Sequence, residues 1–145
     1  MIFVPSASDF AEIDCLFSEL SPAIKKWNSH ITSKWLLDEL GRGKVLALKS
    51  ENSLVSVLFY RDQPEALEVM FLATRQRLQN QGYMSTLFRY FLQSEASNRA
   101  VWLEVHAENG VAQKFYLSFG FEQVGARPHY YGANQTAILF SKQPL

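Results

Sequence analysis

One cysteine in 145 residues, Cys15, excludes an intramolecular disulfide framework and suits a reducing compartment such as the cytoplasm. No apolar run approaches the length of a membrane span, and no basic segment leads into an apolar one at the N-terminus. A soluble, cytoplasmic chain without membrane contact is expected. Net charge is also lacking, with 14 basic and 14 acidic residues and no long run of either sign. A global field for gripping nucleic acid is missing, so no nucleic-acid partner is expected. His30, His106 and His129 lie too far apart for a local metal motif, and no metal is expected. Neither a Walker A lysine nor a G-x-S-x-G elbow occurs. Five prolines and seven glycines are too few for a fibrous or low-complexity chain. What is there is 48% hydrophobic and 14% aromatic, enough for one domain over residues 1–145 with a single core.

Taken in order, Ile2–Val4 reads as a short strand. Ser6 or Ser8 can cap a helix in which Phe10, Ile13, Leu16, Phe17 and Leu20 share a face, with Pro22 ending it or starting the next turn. Cys15 falls in this helix between apolar positions, which argues against a covalent acyl-cysteine. A second helix is expected from Ile31 to Leu40, burying Trp35, Leu36 and Leu40 and stopping at Gly41. Lys44–Ser50 and Leu54–Tyr60 read as a hairpin about Glu51–Ser53, and Ala66–Thr74 as a third strand. After Gly82 a helix places Met84, Leu87, Phe88, Phe91 and Leu92 on one face. The strand Ala100–His106 is followed by Asn109 at an N-cap position. A short helix then turns Val111, Ala112, Phe115 and Phe119 inward and stops at Gly120. Phe121–Val124 and Gln135–Phe140 close the order as strands. The reading is α/β: β-α-α-β-β-β-α-β-α-β-β, a mixed sheet with helices on both faces, whose central strand–helix–strand unit demands one parallel pair.

Gln79-Asn-Gln-Gly82-Tyr-Met84, between strand and helix, fits the pattern Q/R-x-x-G-x-G/A at its first and fourth positions. Backbone N–H groups at such a helix start form an anion site, although a helix-entering glycine needs no ligand. Further on stand Leu103-Glu-Val-His-Ala-Glu-Asn109, then Phe115-Tyr116 and Gly120-Phe121, and later Arg127-Pro-His-Tyr-Tyr131. These segments, with the whole element order, resemble the GNAT superfamily of N-acetyltransferases. The last two blocks are most similar to the bacterial ribosomal-protein-alanine N-acetyltransferase (RimI-like) branch. Met84 stands where the loop pattern has Gly or Ala, and Gln79, Asn80 and Gln81 where a cation is usual, leaving Arg75 and Arg77 as the nearest ones.

The resemblance implies acetyl-CoA as co-substrate, held on the backbone of Gln79, Asn80, Gln81, Gly82, Tyr83 and Met84. It also implies that the Leu72–Ala73–Thr74 strand end parts from Leu103–Val105, opening a slot for pantetheine; one N–H there could stabilise the oxyanion, worth several kcal/mol. Asn109 is either an N-cap, a coenzyme contact, or both. Strand alternation puts Glu104 with Trp102 and His106, where a mid-strand carboxylate needs a partner or a wet cleft. By resemblance Glu104 is the general base, acting through water, and Glu68 is the rival on the preceding strand. Tyr116 matches the general acid: a phenol with a reference pKa near ~10 carries its proton at neutral pH. Its alternative is a core-flanking tyrosine. Trp27, Tyr130 and Tyr131 are candidates for the acceptor wall, or simply surface aromatics.

An α-amine titrates near ~7.7–8.0 and lysine near ~10.4. Freeing the first of its proton at pH 7 costs roughly 1–1.4 kcal/mol against roughly 4.6 kcal/mol for the second, which favours an α-amine acceptor for one water-linked glutamate. The expectation is acetyl transfer to the N-terminal amine of a ribosomal or other protein, by direct attack in a ternary complex, from a monomer or weak dimer. Acetylation of a small amine of the polyamine or aminoglycoside type is one alternative. A non-catalytic acyl-CoA-binding or interaction module is the other.

Overall fold

The computed structural model describes residues 1–132 and 135–144, with Tyr131 described for its backbone alone. Strands β1 (Ile2–Phe3), β2 (Val45–Ser50), β3 (Ser53–Asp62), β4 (Ala66–Thr74), β5 (Ala100–His106), β6 (Glu122–Gly132) and β7 (Gln135–Lys142) form one sheet. Their order is β1-β2-β3-β4-β5-β7-β6. Every neighbouring pair is antiparallel except β4 and β5, which run parallel because helix α4 (Tyr83–Gln93) carries the chain back across the sheet. Helices α1 (Phe10–Ser18), α2 (Pro22–Trp27) and α3 (Ser33–Gly41) precede β2, and α5 (Gly110–Ser118) follows β5.

Local chemistry accounts for the helix starts. The Ser21 hydroxyl accepts the Ile24 N–H at 3.3 Å and Pro22 occupies the first turn of α2, where a missing donor does no harm. Thr32 Oγ1 accepts the Trp35 N–H at 3.1 Å and opens α3. Ile31 just before that cap and Leu36 in the first turn are both buried in one cluster, the hydrophobic-staple pattern.

Helices cover both faces, as expected. On one face Leu87, Phe88 and Phe91 of α4 and Tyr116 of α5 pack over Leu58, Val69, Leu103 and Phe140. On the other, Ile13, Leu16, Leu36 and Leu40 pack over Val45, Val57, Phe59, Phe71 and Ala73. Within each of β3 and β4 the burial pattern changes face partway. Phe59 pairs with Phe71 and Tyr60 with Val69, so Met70 is an extra residue, a bulge. Leu67 and Val69 therefore face the α4 side, while Phe71 and Ala73 face α1 and α3.

Four expectations need correction. An extra helix, α2, lies between the two expected N-terminal ones. Gly41 sits within α3, and Gly43, at φ +71°, makes the left-handed exit. In α5 Val111 points out, 80% exposed, and Tyr116 is the buried residue instead. The final hairpin is far longer than expected, because Arg127–Gly132 continues β6; Pro128 is tolerated there since β6 is the sheet edge. No helix among the described residues is long and apolar enough to cross a membrane.

Candidate active site

The parallel ladder between β4 and β5 runs from Ala66↔Ala100 to Val69↔Leu103 and goes no further, and the Met70 bulge falls just past its end. Beyond it the two strands line opposite walls of a cleft of about 460 Å³. Met70–Thr74 form one wall and Glu104–His106 the other. The α4 start closes one end, and Trp27, Asn109 and Tyr116 border the rest. A bulge bends its strand away from its neighbour, which is how this sheet opens a slot at its middle.

The cofactor end is made of backbone. Gly82 sits at φ +86° as the residue before α4, and Asn80 is also left-handed at φ 64°. No side chain caps α4, so the first N–H groups of the helix are left to the cleft. Both Thr86 N–H and Thr86 Oγ1 donate to the Gly82 carbonyl at 3.0 Å, tying the turn to the helix. Met84 packs against the core cluster, so its bulk is directed inward. Gln79 Nε2 donates to the Thr74 carbonyl at 3.2 Å and to Gln76 at 3.4 Å, bracing the loop on the strand end. Arg75 is buried, its Nε donating to the Leu54 carbonyl at 2.6 Å and its Nη1 paired with Glu19 at 3.2 Å. It therefore secures the fold under the loop. The residues fit an anionic pyrophosphate: donors converge on a helix start next to a glycine in the left-handed region.

The opposite end is made of side chains. Glu104 is 10% exposed, and its Oε1 lies 3.1 Å from Arg127 Nη1. The Arg127 guanidinium also lies over the Tyr130 ring at 5.6 Å, which places that phenol beside the ion pair. Burial, then the Glu104 charge, push the Tyr130 phenol up from its ordinary value. Glu68 lies opposite Trp102 on the neighbouring strand, with Gln63 Nε2 donating to it at 3.3 Å. Burial raises its carboxyl above the ordinary value and Glu104 adds to that; the Gln63 hydrogen bond, Arg61 and Arg127 oppose it. Glu68 is not among the cleft residues, whereas Glu104 is.

The candidates are brought together unequally. Leu72, Ala73, Thr74, Gln79, Asn80, Gly82, Tyr83, Met84, Asn109, Tyr116, Glu104 and Trp27 all line the cleft. Gln81 and Tyr130 are exposed, Tyr130 at 51%, and neither is among the residues that line it. The Tyr131 side chain lies outside the described residues. Asn109 is an N-cap, its Oδ1 accepting the Ala112 N–H at 3.1 Å, and it borders the cleft as well. Tyr116 is 6% exposed, within ring contact of Phe88, Phe115, Phe121 and Phe140, and still borders the cleft.

Two residues without an assigned role in the sequence reading also belong here. Arg127 was part of a quoted run, and only the length of β6 brings it to Glu104. His106 is 3% exposed beneath Trp27, the rings stacked at 5.9 Å and 28°. Its Nδ1 accepts the Glu108 N–H at 3.1 Å and its Nε2 hydrogen-bonds Gln135 Oε1. An acceptor at Nδ1 fixes the tautomer with the proton on Nε2. Strand alternation had set His106 beside Glu104, but nothing in the sequence indicated the partners that lock it. Among the described residues there is no group of three or more His, Cys, Asp or Glu that could hold a metal ion.

A sheet parted at a bulge, with a bare helix start on one side and a carboxylate on the other, defines the class of coenzyme A-dependent N-acetyltransferases. The chain belongs to the acetyltransferase (GNAT) family, whose family model matches residues 11–121. It is 30% identical over 114 residues to the [ribosomal protein bS18]-alanine N-acetyltransferase of Haemophilus ducreyi, covering 73% of this chain and 78% of that one. Among solved structures, the ribosomal-protein-S18-alanine N-acetyltransferase of Escherichia coli superposes with a TM-score of 0.82 at 18% identity, covering 97% of this chain and 91% of that chain. Arabidopsis thaliana Naa50, in complex with the bisubstrate analogue CoA-Ac-MVNAL, gives 0.78 at 21% identity, covering 99% and 97%. The chain is an acetyl-CoA-dependent N-acetyltransferase with a RimI-like affinity.

Proposed function

We propose that this enzyme acetylates the N-terminal α-amine of a protein, a ribosomal protein with N-terminal alanine being the first acceptor to test. The observation that carries the reading is Glu104: a nearly buried carboxylate lining the cleft where β4 and β5 part. The 30% identical relative carries that activity in its name, and the Naa50 structure holds coenzyme A joined to a peptide.

Acetyl-CoA supplies the activated acetyl group as a thioester. The N–H groups at the start of α4 hold its pyrophosphate, and the β4 edge from Met70 to Thr74 offers backbone groups to the pantetheine amides. The acceptor amine attacks the thioester carbonyl carbon, forming the C–N bond as the C–S bond breaks. Glu104 takes the amine proton through water, and the Tyr116 hydroxyl gives its proton to the departing thiolate. Glu68 lies outside the cleft residues and modulates the charge around the base. Trp27, stacked on His106, and Tyr130 flank the acceptor path.

The test mixes acetyl-CoA with N-terminal peptides and, separately, with polyamines and aminoglycosides, following free thiol. Turnover on an N-terminal alanine peptide is expected, and Tyr116→Phe should lower kcat by about 10²-fold, the low end for a positioned general acid. Turnover restricted to the small amines would replace the protein acceptor by a small-molecule one. Coenzyme A binding with no turnover on any amine would leave a binding module.

A further inference from the structure

The face of the sheet that carries Glu104 holds a second carboxylate close by. Glu68 pairs across to Trp102, two residues before Glu104 on the same side of β5, and the Glu104 charge adds to the cost of ionising Glu68. Arg61, paired with Glu68 across the β3–β4 ladder, offsets part of that cost while bonding elsewhere. Its Nη2 lies 2.5 Å from Oε1 of Glu39, which is 2% exposed on α3. Gln63 contributes a neutral donor to Glu68, and His106 is bound on both ring nitrogens.

Arg127 is the cation of this group that pairs with Glu104, at 3.1 Å. It comes from β6, across β7, and the register explains how it reaches. Glu104, Leu139 and Gly125 lie side by side in the three strands, as do His106, Ala137 and Arg127. Gly125 offers no side chain and Ala137 only a methyl group, so the long Arg127 stem can cross diagonally to Glu104. The Tyr130 ring supports the guanidinium at 5.6 Å.

We propose that Arg127 is a positioning residue that holds the Glu104 carboxylate and aims it into the cleft in spite of Glu68. The inference rests on Glu104 being the base. It gives the β6–β7 hairpin a second task besides flanking the acceptor: it delivers the counter-charge that lets two carboxylates share one face. Glu68 is then the residue against which Arg127 works, and removing it should relieve the need for the arginine.

The experiment is kcat/KM against pH on one N-terminal peptide at saturating acetyl-CoA, so that the acceptor amine contributes the same limb throughout. Wild type is compared with Arg127→Gln, Arg127→Lys, Glu68→Gln and the Arg127→Gln/Glu68→Gln pair. In Arg127→Gln the acid limb should move up by about one pH unit. The loss should be greatest, approaching about tenfold, at the acid end of the profile and vanish toward neutral and basic pH. Arg127→Lys should stay within about threefold of wild type, and Glu68→Gln added to Arg127→Gln should recover most of the low-pH loss. Arg127→Met, which keeps the stem over Tyr130, gives the same reading should Arg127→Gln fold poorly. A loss equal at every pH, or no recovery in the double variant, overturns the proposal. Full turnover in Glu104→Gln would instead overturn the base assignment, a different result from a pH-flat Arg127→Gln beside an inactive Glu104→Gln.

Discussion

The two ends of the cleft are built from different material. At one end Gln79–Met84 presents backbone N–H groups on a left-handed glycine and an uncapped helix start. At the other, Glu104, Arg127 and Tyr130 present side chains contributed by two non-adjacent strands. Every residue type except proline carries a backbone donor, so the first end survives changes of side chain provided the turn is kept. That explains how Gln79, Asn80, Gln81 and Met84 can stand in place of the cation and the small residue of the loop pattern. Side-chain chemistry has no such tolerance. A carboxylate whose charge is balanced at 3.1 Å by one guanidinium is sensitive to either partner.

The largest expected effect separates the two ends outright. Glu104→Gln keeps shape and hydrogen bonding but cannot accept a proton. It should lower kcat by about 10²- to 10⁴-fold while coenzyme A affinity by calorimetry stays within about twofold. A parallel fall in affinity would mean the ends are not independent. Next comes the backbone end. A Cβ on Gly82 would meet nothing within 4 Å, so Gly82→Ala is opposed only by its φ of +86°. The strain, about 1 kcal/mol, should weaken coenzyme A binding roughly fivefold with kcat nearly unchanged. Gly82→Asn should lose less, since asparagine visits the left-handed region more readily. Equal losses in the two variants would point to crowding of the ligand rather than to backbone strain.

The same division decides what could be read from the sequence. The backbone end was legible because a glycine between a strand and an amphipathic helix is a local pattern, and Asn109 announced its own cap. The apolar periods gave the two helix layers, for the same reason. What was not legible depended on chain segments meeting at a distance. The Met70 bulge is invisible to alternation, because a single extra residue reverses which side chains face which layer. Helix α2 is six residues long, too short to display a period. Its Trp27 was nominated for the acceptor wall without the stacking on His106 being foreseen. In α5 a 3.6-residue count could not tell the exposed Val111 from the buried Tyr116, because both border the cleft while only Tyr116 also packs into the core. Arg127 reached Glu104 only because β6 runs on past Val124, where the sequence pattern ends the strand.

The smallest expected effect concerns Glu68, which belongs to the side-chain end without lining the cleft. Its carboxyl is raised above the ordinary 4.5, first by burial and then by Glu104, so the folded chain binds that proton more tightly than the unfolded chain does. The linked stability is fully present below the unfolded value and is lost as pH rises through the folded one. Ionised Glu68 is therefore a mild burden at neutral pH and none in acid. Glutamine removes the charge and can still accept from Gln63. Glu68→Gln should thus melt about one to two degrees above wild type at pH 7, with the gap closing near pH 4. Partial exposure and the opposing Arg61 and Arg127 keep the effect small. Thermal melts of both proteins at the two pH values measure it. A gap that widened toward acid would mean that Glu68 gains more from Arg61 and Arg127 than it loses to burial and Glu104. Arg127 would then be a partner shared by two carboxylates rather than a counter-charge held for Glu104.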